Sequence, residues 1–319
     1  MKLHQNPKDF TEAIQAAGQA LGIREVFIEK DYWVCYILKN LSQSPHINDV
    51  IFKGGTSLSK AHKVIFRFSE DVDLAILNTS LPDAQLKKKM KDIEKAIAAP
   101  PLASIDKKGI TSKGSRFRKT VWEYKKTSKG DYGDASPDLL LELNSFAIPS
   151  PFQALPIQTY IADFLSLRKQ FDAIKEFELE SFKVNVLDIK RTLTEKVAAV
   201  ARASFESDAN QSELKKKIRH LYDLTMLLRQ DVIKNFISSS QFQKMVTQVQ
   251  QDDSNFFDPG KSLIMKNFKD APIYKNSKDA LEGLRTAYDG QFATLIFSQD
   301  DAPDFKEILK ALQSIEKNL

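Results

Sequence analysis

Residues 49–76 read DVIFKGGTSLSKAHKVIFRFSEDVDLAI, and the fold turns on this stretch. Val50, Ile51 and Phe52 are a short run of branched and aromatic residues ending at a turn signal, which predicts a strand. Gly54 and Gly55 follow; paired glycines let the backbone turn sharply and let a ligand approach its N–H groups. Thr56 and Ser57 are natural N-caps for a helix running to about Ile65, and a glycine turn entering a helix suits phosphate. A second strand is predicted from Ser69 to Leu77. Its alternation puts Val72, Leu74 and Ile76 on one face and Asp71, Asp73 and Ala75 on the other.

Asp71 and Asp73 thus share a side, roughly 7 Å apart at Cα for a rise of about 3.3 Å per residue. Such a pair suits oxygen ligation of one or two Mg2+ ions, and a nearby cation is the simplest reason to keep two like charges this close. Alone, a glycine pair is usually a turn and an Asp-x-Asp a solvated strand end. The order strand, Gly-Gly-[Thr/Ser], helix, Arg-x-Ser-x-Asp-x-Asp within one short stretch is far more specific. A nucleoside-triphosphatase P-loop is excluded, because Lys53 precedes the glycines where that motif needs Lys after them.

The chain of 319 residues has room for one large or two moderate domains, and 42% hydrophobic with 28% charged residues is a globular composition. No apolar run reaches the ~18 residues of a membrane helix, and MKLHQNPKDF lacks a signal peptide's apolar core. The single cysteine, Cys35, rules out an internal disulfide and fits a reducing cytoplasm. With only four scattered histidines, carboxylates and Mg2+ are the expected metal chemistry rather than zinc. A net charge of +5 permits a polyanionic partner without demanding one.

GGTSLSK followed by RFSEDVDLAI closely resembles the AbiEii-type nucleotidyltransferases, toxins of bacterial abortive-infection and type IV toxin–antitoxin systems. The resemblance implies a polymerase-β-like minimal nucleotidyltransferase fold: an α/β (α+β) core with a mixed sheet over residues 1–157, then a mostly helical domain over 158–319. It continues outside the central stretch. Glu29, Lys30 and Asp31 lie in a helix from about Arg24 to Leu41, where family members carry a similar E-K-D run. By resemblance Lys30 and Asp31 line the site; otherwise they are a solvated helix face. DIKRTLTEKVAAVARAS gives Glu195, Lys196 and Arg202, and RHLYDLTMLL gives Arg219, His220 and Asp223. The family pattern makes Lys196 a triphosphate contact and Asp223 a support of the site. Spacing alone reads Arg219 and Asp223 as an i,i+4 surface pair.

The same fold places a third metal-region carboxylate on a later strand. Glu142, inside LLLELN (139–144), matches it; the alternative is an edge strand with Glu142 in solvent. Residues 116–125, RFRKTVWEYK, are a basic and aromatic strand that suits nucleic acid or an ordinary ribbon with charges outside and rings inside. Lys87, Lys88 and Lys89 sit on a helix from Asp83 to Ala98 as an exposed face or phosphate contacts. AIPSPFQALPI (147–157) reads as a proline-rich connector and domain boundary, 158–178 as helical, FKVNVL (182–187) as a strand, and DDSNFFDPG (252–260) as a loop. The chain from Ala302 is a final amphipathic helix.

The expected mechanism follows. Asp71 and Asp73, with Glu142, hold Mg2+; Gly54, Gly55, Thr56 and Ser57 cradle the phosphates of an NTP donor; Arg67 and Ser69 flank the acids, with Ser69 either orienting the strand or being modified; Lys196 neutralises the departing pyrophosphate. Family members that extend the 3′ end of tRNA, and so stop translation, make tRNA the expected acceptor and a cognate antitoxin the expected partner. A small-molecule or protein acceptor on the same core, and a nucleotide-binding regulator without turnover, are the alternatives.

Overall fold

In the computed structural model the described residues are 1–77, 80–146, 148–257, 266–290, 292–298, 300 and 302–319. They divide into two compact units. The first comprises Met1–Lys63 and Phe68–Leu187, and the second Val64–Arg67 and Asp188–Leu319.

The first unit is built on one eight-stranded mixed sheet. Its strands are β1 (Val50–Lys53), β2 (Asp71–Ile76), β3 (Ala103–Ile105), β4 (Ser112–Lys113), β5 (Phe117–Glu123), β6 (Leu139–Asn144), β7 (Phe152–Ile157) and β8 (Phe182–Leu187). The order across the sheet is β3-β5-β6-β2-β1-β8-β7, with β4 also on β5. β1 pairs antiparallel with β2, and β2 pairs parallel with β6. The centre is apolar because both faces are covered: Val50, Ile51, Phe52, Val72, Leu74, Leu139, Leu141, Leu143, Val184 and Val186 are all buried.

Around the sheet run α1 (Pro7–Leu21), α2 (Glu25–Gln43), α3 (Gly54–Lys60), α4 (Asp83–Ile97), α5 (Tyr160–Leu167) and α6 (Phe171–Glu176). Asn6 caps α1 by accepting the Asp9 N–H, and Gly22 closes it at φ +66°, the left-handed conformation glycine adopts without strain. α2 is buried on every side, so Glu29 and Lys30 are wholly inaccessible and Asp31 nearly so. The solvated-face alternative for this trio is overturned.

The second unit is helical: α7 (Ile189–Glu206), α8 (Ser212–Lys215), α9 (Ile218–Leu228), α10 (Asp231–Ile237), α11 (Ser240–Phe257), α12 (Pro272–Lys275), α13 (Ser277–Glu282), α14 (Arg285–Asp289) and α15 (Phe305–Asn318). The short segment 64–67 belongs to it: the Phe66 N–H donates to the Tyr222 hydroxyl (3.2 Å) and Arg67 bridges to Ile296. Ile308, Leu312 and Ile315 of α15 are buried, as an amphipathic helix requires.

Three local expectations change. The helix after the glycines starts at Gly54 itself and ends at Lys60, so neither Thr56 nor Ser57 caps it and it stops short of Ile65. The proline-rich segment is not a connector: from Phe152 it is β7, an edge strand paired antiparallel with β8, where proline's missing donor is tolerated. The division between units accordingly falls at Leu187 rather than at 157. Of the loop expected at 252–260, residues through Phe257 are helical, and 258–260 lie outside the described residues, as does Ala147.

Candidate active site

The first unit brings the glycine corner and the acids together. Gly54 has φ +79°, and a Cβ built on it would overlap the Asp73 carboxylate. Only glycine meets both demands, the left-handed backbone and the close approach. Parallel register sets Asp73 beside Glu142 and Asp71 beside Leu140. β6 lies inside the sheet between β5 and β2, so the edge-strand alternative for Glu142 fails.

Asp71 is the unusual group. Its Oδ1 is buried and makes no hydrogen bond among the described residues. Burial, then the charges of Glu70 and Glu142, push its carboxyl up to about 6, with Lys119 and Lys30 pulling the other way. A buried carboxylate oxygen without a donor is costly unless something positive meets it. Glu142 is differently placed: Lys119 of β5, directly opposite in the ladder, holds its Oε1 at 2.6 Å.

These residues fit a hard cation. Asp71 and Asp73 offer carboxylate oxygens, one of them unsatisfied, beside a backbone stripped of Cβ. Among the described residues no three His, Cys, Asp or Glu side chains converge on one point. A two-carboxylate set is ordinary for Mg2+, which keeps waters and takes substrate phosphate oxygens for the rest of its shell.

The hydroxyls of the glycine motif are turned into the protein. Thr56 Oγ1 lies 2.6 Å from the Asp71 carbonyl and 3.0 Å from Ser69 Oγ, and Ser57 Oγ donates to the Gly54 carbonyl at 2.9 Å. Thr56 ties the corner to the acid strand and Ser57 closes the corner on itself, which leaves the half-exposed Gly54 and Gly55 ahead of two buried hydroxyl residues.

The E-K-D run of α2 holds the site from behind. Each residue leaves the helix in a different direction. Glu29 accepts the Thr127 and Ser128 N–H groups at 2.6 and 2.9 Å. Lys30 reaches Glu70 at 2.5 Å and also the Ser136 carbonyl. Asp31 meets Lys60 at 2.6 Å and accepts the Tyr160 N–H at 2.8 Å, with the Lys60 ammonium 3.8 Å from the Tyr160 ring centroid. Lys60 closes GGTSLSK and Glu70 precedes Asp71, so two buried ion pairs lock the motifs to one helix. Lys30 and Asp31 act through those partners and do not line the site. The sequence holds a signal for this: complementary charges, each set in an otherwise apolar run.

The second unit gathers Arg67, Lys196 and Asp223. Arg67 grips the fully buried Asp223 with two nitrogens, at 2.7 and 2.8 Å, and Lys196 Nζ lies 2.8 Å from Asp223 Oδ2. Burial alone would raise the Asp223 carboxyl; the two cations hold it well below the usual range. The surface pairing of Arg219 with Asp223 is therefore not what forms. His220 has a buried, unpartnered Nδ1, and burial with the neighbouring Lys196 and Lys217 keeps its ring neutral. Glu195 is taken by Arg191 (3.1 Å), which also binds Asp252, and Arg202 pairs with Asp253.

The basic ribbon is largely neutralised and does not offer a stacking face. Arg116 pairs with Asp83 at 3.0 Å, buried Arg118 with Glu94, and Lys126 with Asp138 at 3.2 Å. Trp122 and Tyr124 are buried, and Tyr124 stacks on Trp33. Lys87 and Lys88 of α4 are exposed.

No helix among the described residues is long and apolar enough to cross a membrane. The fold is similar to the solved structure of MenT4, a nucleotidyltransferase toxin from Mycobacterium tuberculosis H37Rv, with a TM-score of 0.53 and 15% identity across 95% of this chain and 98% of that one. No curated protein matches the chain. The family model described as nucleotidyl transferase AbiEii toxin, type IV toxin–antitoxin system, matches residues 36–311, which takes in every site residue named above except Glu29, Lys30 and Asp31. The chain belongs to the AbiEii nucleotidyltransferase toxins of type IV toxin–antitoxin systems.

Proposed function

We propose that the protein transfers a nucleotide from an NTP to the 3′ end of tRNA in a Mg2+-dependent reaction, and so blocks translation. The observation that carries the metal-dependent chemistry is the buried, unpartnered Oδ1 of Asp71 on a strand whose next acid packs on Gly54. Asp71 and Asp73 are the ligands. Bound there, Mg2+ supplies charge neutralisation at the transferring phosphate and the departing pyrophosphate. Gly54 and Gly55 give the phosphates a close approach to the backbone, and the Thr56 hydroxyl keeps the corner in register with β2. By the family pattern Lys196 is the triphosphate contact; within the second unit its ammonium is held by Asp223, which Arg67 also grips. Ser69 orients the acid strand through its contact with Thr56.

The acceptor reading rests on the toxin family and on the exposed α4 lysines, which suit a phosphate backbone. The toxin–antitoxin family supports a cognate antitoxin as partner, and a cytoplasmic setting suits a tRNA target.

Incubation with each labelled NTP, Mg2+ and total tRNA tests the proposal. Label at the tRNA 3′ end is the expected result. Label on protein or a small molecule would replace the acceptor while keeping the chemistry, and nucleotide binding without pyrophosphate release would remove the proposed transfer.

A further inference from the structure

Three neighbouring strands place Lys119, Glu142 and Asp73 in one row. Antiparallel pairing sets Lys119 of β5 opposite Glu142 of β6, and parallel pairing sets Glu142 opposite Asp73 of β2. Side chains directly opposite in a ladder lie on the same face, so the row carries the charges plus, minus, minus across the sheet. The ends of the row differ. Lys119 and Glu142 form a half-buried ion pair of 2.6 Å, with 26% and 22% of their side chains accessible. Two residues along β2 from the other end, on the same face as Asp73, Asp71 keeps an oxygen with no donor.

A two-metal phosphoryl-transfer site needs carboxylates shared between ions about 3.5–4 Å apart. A third carboxylate in register with the acid pair is the natural residue to hold the second ion. Here that carboxylate already has a cation. Releasing it would break an ion pair and leave the Lys119 ammonium among Asp71, Asp73 and Glu142 with another positive charge beside it. We propose that Lys119 is a positioning residue whose ammonium takes the place of a second metal ion, so that this site binds one divalent cation, on Asp71 and Asp73.

The inference rests on the proposed metal site, and a count of bound ions separates the two. Mn2+ alone is titrated into the full-length protein, and free Mn2+ is read by electron paramagnetic resonance. The wild type is expected to bind one ion, Asp71→Asn none, Lys119→Arg one and Lys119→Met two. Two ions on the wild type would overturn the inference and leave the metal site standing. None on the wild type would remove both. One ion on a Lys119→Met protein that folds normally by circular dichroism would also overturn it. If that variant does not fold, Lys119→Gln takes its place, and the wild-type count still decides between one ion and two.

Discussion

The Asp73 carboxylate lies against the bare Cα of Gly54, in space that the smallest side chain would need. This contact joins the two halves of the sequence motif, since the phosphate-facing corner and the acid strand share a boundary with no room for another atom. Gly54→Ala should therefore act twice. The left-handed backbone at φ +79° costs an L-residue about 1 kcal/mol, and the methyl group pushes Asp73 aside. The expected outcome is a folded protein, destabilised by about 1–3 kcal/mol in urea, with nucleotide transfer reduced more than ~100-fold. Activity within a few-fold of wild type would refute the placement.

Asp71→Asn should abolish transfer and relieve toxicity in a growth assay, yet stabilise the metal-free protein. Burial and the adjacent Glu70 and Glu142 make the ionised carboxylate costly, and the amide removes that charge at nearly constant shape. A gain of about 1–3 kcal/mol at neutral pH is expected, from 1.36 kcal/mol per pKa unit, measured by chemical denaturation in the presence of a chelator. Lower stability of the variant would contradict the strained-acid description.

The same group predicts a pH dependence. The Asp71 carboxyl titrates near 6 in the folded protein against an ordinary 3.8, so the folded state holds its proton more tightly than the unfolded state. Its contribution to stability is complete at and below 3.8 and is lost as pH rises through about 6. Activity runs the opposite way, because the metal needs the carboxylate. At limiting Mg2+ kcat/KM should climb with pH through this range, the midpoint moving lower as Mg2+ is raised, and stability measured with a chelator should fall less between pH 4 and 6 in Asp71→Asn than in the wild type.

Asp223→Asn should destabilise strongly, since Arg67 and Lys196 would remain buried without the carboxylate that both of them bind. About 3–5 kcal/mol is expected by chemical denaturation. Because the two cations hold this carboxyl below its usual range, its stabilisation is present above 3.8 and fades as pH falls below that value. A wild-type-like denaturation midpoint would show that the cluster contributes little.

Lys60→Met alone should cost about 3–5 kcal/mol by leaving Asp31 buried and unpaired. Asp31→Asn added to it keeps an acceptor for the Tyr160 N–H while removing the stranded charge, and should recover at least half of the loss. Additive effects of the two substitutions would rule out the coupling.

The parts legible in the sequence were those carried by period and order. The alternation around Asp71 and Asp73 gave β2 with both acids on one face, and LLLELN gave β6 with Glu142 on the polar side. What stayed hidden depended on partners distant in the chain. Lys30 and Asp31 resemble surface charges until Glu70 and Lys60 arrive from other elements. Thr56 and Ser57 have the composition of caps, but a tertiary hydrogen bond claims the Thr56 hydroxyl and the Gly54 carbonyl claims that of Ser57. Pro151 and Pro156 signalled a linker because proline disfavours interior strands, and the strand they flank or occupy lies at the sheet edge. The pairing of Lys119 with Glu142 follows from register, which one strand read alone does not specify.

Glu29, Lys30 and Asp31 project from α2 toward three separate anchors, about 100° apart around its axis. A one-residue insertion or deletion in the middle of this helix would rotate the trio past all three anchors together. Length changes there should give insoluble protein, whereas similar changes in the exposed turn between α5 and α6 should be absorbed.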